Sequence, residues 1–234
     1  FRRVLFRSVG NSSTVQAVTV TQDASAEEVI LPDLSDPLPG AGIYFDGTQT
    51  YYTFGASLTM AAGDLDNDAV SGLAGVRIDS PSGTTETGNF VLNAGSNYTL
   101  YAVDNVGNVS ATGQTVTVTQ DATDPTLSLP DLSDPLPGAG IYFDGSTTYF
   151  VSDTTLSLTP TIGEAGSDLA YVTVDDGVSS SDETTLPLSL DAGKSYSLTA
   201  VDNVGNSSTV QAVTVTQDTS AEEVSLPDLS DPLP

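Results

Sequence analysis

The sequence predicts an all-β protein built of tandem sandwich domains, and three observations predict it. Apolar residues alternate with Ser and Thr at period two in run after run, as in a strand with one buried face. Turn signals rich in Asp, Asn and Gly interrupt these runs about every 10–15 residues, and no stretch shows a helical period. The nonapeptide Leu31-Pro-Asp-Leu-Ser-Asp-Pro-Leu-Pro39 recurs as 129–137 and 226–234, at intervals of 98 and 97 residues, and Val103-Asp-Asn-Val-Gly-Asn108 recurs as 201–206. A fixed period of that size means one domain type in series, each copy long enough for a small core of its own.

The strands are clearest in the second copy. Leu156 and Leu158 alternate until Pro160 stops the run; Val172 and Val174 alternate into the turn Asp175-Asp-Gly177. Leu186, Leu188 and Leu190 lead into Asp191-Ala-Gly193, and Tyr196, Leu198 and Ala200 lead into Asp202-Asn-Val-Gly-Asn206. Val213 and Val215 close the copy before Gln217-Asp218. The first copy matches with Leu58/Met60, Val76/Ile78, Phe90/Leu92, Tyr98/Leu100/Ala102 and Val116/Val118. Edge strands near Leu127/Leu129 and Ile141/Phe143 bring each copy to about seven strands. Tyr98 and Tyr196 each follow an Ala-Gly turn and open the penultimate strand, the place of a tyrosine that ties the chain crossing between sheets. The expected division is 9–23, the last strand of a preceding copy; 24–121 and 122–218, two whole copies; and 219–234, a linker and the start of the next. Phe1-Arg-Arg-Val-Leu-Phe-Arg-Ser8 matches nothing downstream, resembles translated sequencing-adaptor read-through, and is set aside.

Gly193-x-x-Tyr-x-Leu-x-Ala-Val-Asp-Asn-x-Gly-Asn206 followed by Val213-Thr-Val-Thr-Gln-Asp218 resembles the bacterial Ig-like repeats (Big-type) of large extracellular surface and adhesin proteins. Asp121-Ala-Thr-Asp-Pro125 and Ser71-Gly-Leu-Ala-Gly-Val-Arg-Ile-Asp79 fit the same pattern, and the similarity covers residues 9–234. It implies tandem Ig-like β-sandwich domains and an extracellular, cell-surface location. The Leu-Pro-Asp-Leu-Ser-Asp-Pro-Leu-Pro insert departs from the pattern. Pro130, Pro135 and Pro137 cannot donate to a ladder, so two readings stand: a stiff spacer, or a strip whose Leu132 and Leu136 dock on a neighbouring domain or chain.

Composition narrows the function. The net charge of −26 disfavours nucleic acid and anionic membranes as partners. Arg2, Arg3 and Arg7 are three of the five basic residues, so the repeats themselves are still more acidic. No apolar run is long enough to span a membrane. The chain has no Cys and no His, and its one lysine, Lys194, has Ser96 as its counterpart, so neither an enzyme nor a self-formed Lys–Asn crosslink is expected. Asn11, Asn97, Asn108 and Asn206 lie in Asn-x-Ser/Thr sequons that a Ser/Thr-rich chain produces readily by chance.

What remains is oxygen chemistry. Calcium takes six to eight hard oxygens from Asp, Asn and carbonyl groups. Asp64, Asp66 and Asp68 alternate in one loop of the first copy, where Ala69 and Gly75 rule out an EF-hand and the second copy has a shorter, less acidic loop. Asp104, Asn105, Asp121 and Asp124 are expected to gather at one pole near the domain junction, with Asp202, Asn203 and Asp218 repeating part of the set. The competing reading is turn chemistry, in which Asp and Asn cap their own backbone. The expected function is a structural segment of an extracellular stalk or filament that gives length and stiffness. Its partners are neighbouring copies of the repeat, in the same chain or in a homopolymer of chains that lend strands. The alternative is an adhesin module gripping a glycan or protein through Tyr44, Phe45, Tyr51, Tyr52 and Phe54, with Tyr142, Phe143, Tyr149 and Phe150 in the second copy.

Overall fold

The structure is a computed structural model, and it describes residues 16–26, 28–35, 42–65, 70–133 and 140–220. The first repeat contains β1 (Ile43–Phe45), β2 (Thr50–Thr53), β3 (Ser57–Ala61), β4 (Leu73–Ile78), β5 (Thr85–Glu86), β6 (Asn89–Asn93), β7 (Ser96–Asp104) and β8 (Gln114–Gln120). The second contains β9 (Thr126–Ser128), β10 (Ile141–Phe143), β11 (Thr148–Val151), β12 (Thr155–Leu158), β13 (Thr161–Gly163), β14 (Leu169–Asp175), β15 (Ser180–Glu183), β16 (Leu188–Asp191), β17 (Lys194–Asp202) and β18 (Gln211–Gln217).

Each repeat is an Ig-like sandwich. One six-stranded sheet runs β1-β2-β8-β7-β4-β5, its counterpart β10-β11-β18-β17-β14-β15. The facing sheet is β3-β6 in the first repeat and β12-β16 in the second, where β9 and β13 form a further pair. The period-two residues meet between the sheets: Leu58, Met60, Phe90 and Leu92 against Val76, Leu100, Val116 and Val118, and Leu156, Leu158, Leu188 and Leu190 against Val172, Leu198, Val213 and Val215. The alternating strands predicted within the two whole copies are present. The run expected from Leu186 starts instead at Leu188, because Pro187 has no N–H for a ladder and Leu186 is exposed.

The hairpin β1–β2 and its equivalent β10–β11 place β2 and β11 parallel to the closing strands β8 and β18, with Tyr51 opposite Val118 and Tyr149 opposite Val215. This parallel strand was not expected from the pattern, since Thr50-Tyr-Tyr-Thr53 has aromatics on both faces. Tyr51 and Tyr149 are fully buried, and their hydroxyls donate to the carbonyls of Pro32 and Pro130 at 2.5 and 2.6 Å. Those bonds hold the Leu-Pro-Asp-Leu-Ser segment down on its own repeat. Ser35 Oγ and Ser133 Oγ accept the N–H groups of Phe45 and Phe143, each at 2.8 Å, and Leu31, Leu34, Leu129 and Leu132 pack on the two cores. Leu132 therefore docks inward, within its own repeat, because Tyr149 supplies the acceptor carbonyl's partner there. Leu136 and Pro135–Pro137 lie outside the described residues.

Tyr98 and Tyr196 are tyrosine corners. Each hydroxyl accepts the N–H of a residue five positions back, Asn93 or Asp191, at 2.8 Å. The strand expected across 9–23 is absent from its described part: residues 16–23 join no sheet, and Val18 and Val20 are more than four-fifths exposed. Its sequence twin β18 is flanked by β17 and β11, and the described residues offer 16–23 no such neighbours. Residues 1–15 and 221–234 lie outside the described set.

Candidate functional site: the junction between repeats

The candidate site grows out of one turn. After β17 the chain reverses at Asp202-Asn-Val-Gly-Asn206, and Asp202, fully buried, organises the reversal. Its Oδ1 accepts the N–H groups of Val204, Gly205 and Asn206 at 2.7–3.0 Å, and its Oδ2 accepts the Asn206 side-chain amide at 2.7 Å. A buried carboxylate is tolerated only with this many donors. Ser208 Oγ then accepts Ala200 N–H at 2.9 Å and closes the loop. The first repeat repeats the design. Asp104 Oδ1 accepts Val106 and Asn108 N–H, and its Oδ2 accepts the Asn108 amide at 2.7 Å. Burial pushes the Asp104 carboxyl up, but the hydrogen bonds from Asn108, Val106 and Gly107 outweigh it, so the group lies below its ordinary value.

The same Asn206 amide also reaches the previous repeat. It donates to the carbonyl of Asp121 at 3.1 Å, while Ser167 N–H donates to Asp121 Oδ2 at 2.8 Å. From the other side, Asp121 N–H donates to Thr53 O at 3.0 Å in the first repeat. Asp121 is 4% exposed. One linker residue is thus hydrogen-bonded to both sandwiches at once. Gly166 makes this approach feasible, since a Cβ there would collide with the Asp121 carboxylate.

Asp121, Glu164 and Asp202 each bring a carboxylate oxygen within 4.8 Å of the others. This is the group of three acids that the described residues bring together. Glu164 Oε1 accepts Ala165 N–H at 2.9 Å, whereas Glu164 Oε2 is buried without a partner, as is Ser167 Oγ in the same loop. Burial pushes the Glu164 carboxyl up, and the charges of Asp202, Asp121 and Asp168 push the same way against the single bond from Ala165. Three hard oxygens with an unused lone pair among them can hold a metal ion.

This arrangement regroups the predicted residues. Asp104 and Asp121 do not meet at one pole. β7 and β8 are antiparallel with Ser96 opposite Val118, which sends Asp104 and Asp121 to opposite ends of the sandwich. Asp202 and Asp218 are separated likewise by β17 and β18, where Lys194 faces Val215. Each Asp-Asn-Val-Gly-Asn turn instead meets the junction aspartate before its own repeat: Asn108 donates to Asp23 O at 3.3 Å as Asn206 does to Asp121 O. Asn105 and Asn203 donate their amides to the carbonyls of residues 71–72 and 167–168. Asp218 accepts from Ser220, and Asp124 is exposed outside the acid group. Asp64 sits exposed in a short 3-10 turn (Ala62–Leu65), and Asp66 and Asp68 lie outside the described residues. Glu164 was missed because its loop is the less acidic of the two. The available signal was that it is the loop's one glutamate, five residues before the strand that pairs with Asp202.

The sequons and aromatics also sort out. The Asn108 and Asn206 amides are engaged in the turns, while Asn97 is exposed on β7. Phe45 stacks on Tyr51 and Phe143 on Tyr149 inside the sandwiches. Tyr44/Tyr52 and Tyr142/Phe150 form a second pair on the outer face of each hairpin, with planes tilted by 31° and 35°. These outer pairs make no flat platform.

No protein-family model and no curated protein matches the chain. Solved structures do. The fibronectin(III)-like modules of Clostridium thermocellum CbhA align at 16% identity over 76% of this chain and 95% of that one, with a TM-score of 0.40. The Bacteroides ovatus mixed-linkage glucan utilization locus protein SGBP-B, in complex with a mixed-linkage heptasaccharide, aligns at 13% identity over 84% of this chain and 71% of that one, with a TM-score of 0.21. Scores this low carry no argument about function, and the sandwich assignment rests on the strand order and cores above.

Proposed function

We propose that the chain is a load-bearing length of an extracellular stalk or filament, in which β-sandwich repeats follow one another without a free linker. The observation that carries this reading is Asp121, buried and hydrogen-bonded to Thr53 on one side and to Asn206 and Ser167 on the other. Domains joined by a loose linker move relative to one another by default, and stiffness needs fixed contacts at the joint. The acidic, Lys-poor, Ser/Thr-rich composition suits an exterior, cation-rich setting. Partners are further copies of the repeat. Calcium is the proposed occupant of Asp121, Glu164 and Asp202, where it would replace carboxylate repulsion by attraction across the joint.

The adhesin reading is less favoured, because the inner aromatics belong to the core and the outer pairs are tilted. The stalk reading is tested by the spread of distances between spin labels on Thr59 and Ser157, equivalent exposed positions of the two repeats. A narrow distribution is expected; one as broad as two beads on a string sinks the proposal. The chain has no cysteine of its own, so only the introduced pair is labelled.

A further inference from the structure

The second sandwich has an open flank. Among the described residues β15 ends the six-stranded sheet and β16 pairs only with β12, so both are edge strands. Between them lies a cavity of about 300 Å³. Its floor belongs to the core: Leu188 and Leu190 are 2% and 1% exposed, and Tyr196 lies beside them. Its wall is polar. Ser179, Ser181 and Glu183, alternate residues of β15 and the turn before it, line the same cavity, at positions that carry apolar side chains where two sheets close on each other. Lys194, the chain's one lysine, shuts one end. Its Nζ lies 3.1 Å from Asp176 Oδ2, in the turn before β15, and 3.2 Å from Asp191 Oδ2, at the end of β16, so one ammonium ties both rims.

The first repeat shows how the space arises. Phe90 stands opposite Met60 where Leu188 stands opposite Leu158, so a ring in the first core is a leucine in the second. Glu86 opposite Val76 and Glu183 opposite Val172 mark the same register. Phe90 comes four residues after Glu86, whereas Leu188 comes five after Glu183. A smaller side chain and a longer crossing leave the cavity.

The lining has a definite chemistry. Glu183 Oε1 accepts the Ser181 hydroxyl at 2.8 Å, and its Oε2 makes no hydrogen bond among the described residues. A carboxylate can accept from two adjacent hydroxyls of one ligand, and an ammonium with three N–H groups keeps one beyond its two ion pairs. The leucines offer an apolar surface to a C–H face. A sugar ring combines adjacent hydroxyls with such a face. Three carboxylates, Asp176, Glu183 and Asp191, against one ammonium disfavour an anion. Small-ligand sites span about 300–1,000 Å³, so this cavity suits one sugar unit rather than a length of chain. We propose that the cleft binds a single neutral hexopyranose unit of a glycan, with Glu183 accepting from adjacent hydroxyls and Leu188 and Leu190 beneath the ring. Lys194 and Asp202 are the two ends of β17, so cleft and joint are separate, and this inference stands apart from the stalk reading. It uses none of the hairpin aromatics.

The test is a titration of the isotope-labelled 234-residue chain with the methyl glycosides of glucose, galactose, mannose and N-acetylglucosamine, followed by amide chemical shifts. At least one glycoside is expected to saturate with a Kd of about 1–10 mM, moving amides within 179–183, 188–191 and 194–196. Glu183→Gln is expected to weaken binding about tenfold. Leu188→Phe installs the first repeat's side chain and is expected to abolish the shifts; its thermal midpoint reports whether the fold is kept, and Glu183→Gln decides if it is not. No saturable shift, shifts scattered over the sheet faces, or an affinity unchanged in Glu183→Gln overturns the site. Glucuronate binding as well as methyl glucoside overturns the charge selectivity. A lysine-rich peptide that moves these amides where the glycosides do not overturns the sugar assignment in favour of a basic protein segment.

Discussion

At the scale of single residues, the molecule depends on carboxylates that fold backbone around themselves. Asp202 accepts four hydrogen bonds while fully buried, and Asn206 spends one amide on Asp202 and on Asp121 O. Asn206→Ala is expected to destabilise the second repeat by about 1–3 kcal/mol, and Asp202→Ala by more, since it orphans several buried donors. Chemical denaturation of the two variants measures this. Glu164 tests the metal. With calcium at about a hundredfold its dissociation constant the second repeat gains about 2.7 kcal/mol. Calorimetry is expected to show that rise, reversed by chelator and absent in Glu164→Gln; a midpoint indifferent to calcium returns Asp121, Glu164 and Asp202 to turn chemistry. The exposed turn residue Asp144 gives the pH dependence. Hydrogen bonds from Thr148 and Ser146 hold its carboxyl well below the ordinary carboxylate range. A carboxyl depressed on folding stabilises above its unfolded value, about 4, and that contribution disappears as pH falls through the folded value. Urea midpoints are therefore expected to drop between about pH 4 and pH 2 less steeply in Asp144→Asn than in the parent chain.

At the scale of elements, the alternating leucines and valines fill the space between the sheets, and the hairpin β10–β11 adds Tyr149 and Val151 to the same core. Leu198→Ala removes a fully buried side chain from β17 and is expected to cost about 2–5 kcal/mol. Tyr149→Phe keeps the buried ring but loses the bond to Pro130 O, with an expected loss of about 1 kcal/mol. Hydrogen exchange sharpens the second case: the Leu129–Ser133 segment is expected to lose protection in Tyr149→Phe while β17 and β18 keep theirs. The strands were legible because a half-buried strand writes its period into the chain. The β2 and β11 strands were not, because their tyrosines and phenylalanines are large enough to be read as core, interface or binding face. Only the parallel pairing with β8 and β18 decides which ring of each pair turns inward.

At the scale of the whole molecule, what matters is the joint. A buried linker residue bonded on both sides, an acid group bridging the same point and a lateral Tyr44–Asp168 contact together set the direction of one repeat against the next. Small-angle scattering of the 234-residue chain is expected to give an extended, well-defined profile, and Asn206→Ala to shorten its mean dimension by letting the repeats fold toward one another.

The sequence by itself determined the all-β class, the repeat period, the alternating strands and the tyrosine corners. Each of these is local, or is a self-similarity visible along the chain. Which aspartates meet was decided only by tertiary structure. Asp104 and Asp121 are close in the sequence but lie at opposite ends of an antiparallel strand pair, while Asp121, Glu164 and Asp202 converge across a domain boundary. The inward docking of Leu132 and the backward reach of Asp168 were hidden for the same reason. A period reports which face of a strand is buried; it carries no information about which distant residue lies opposite.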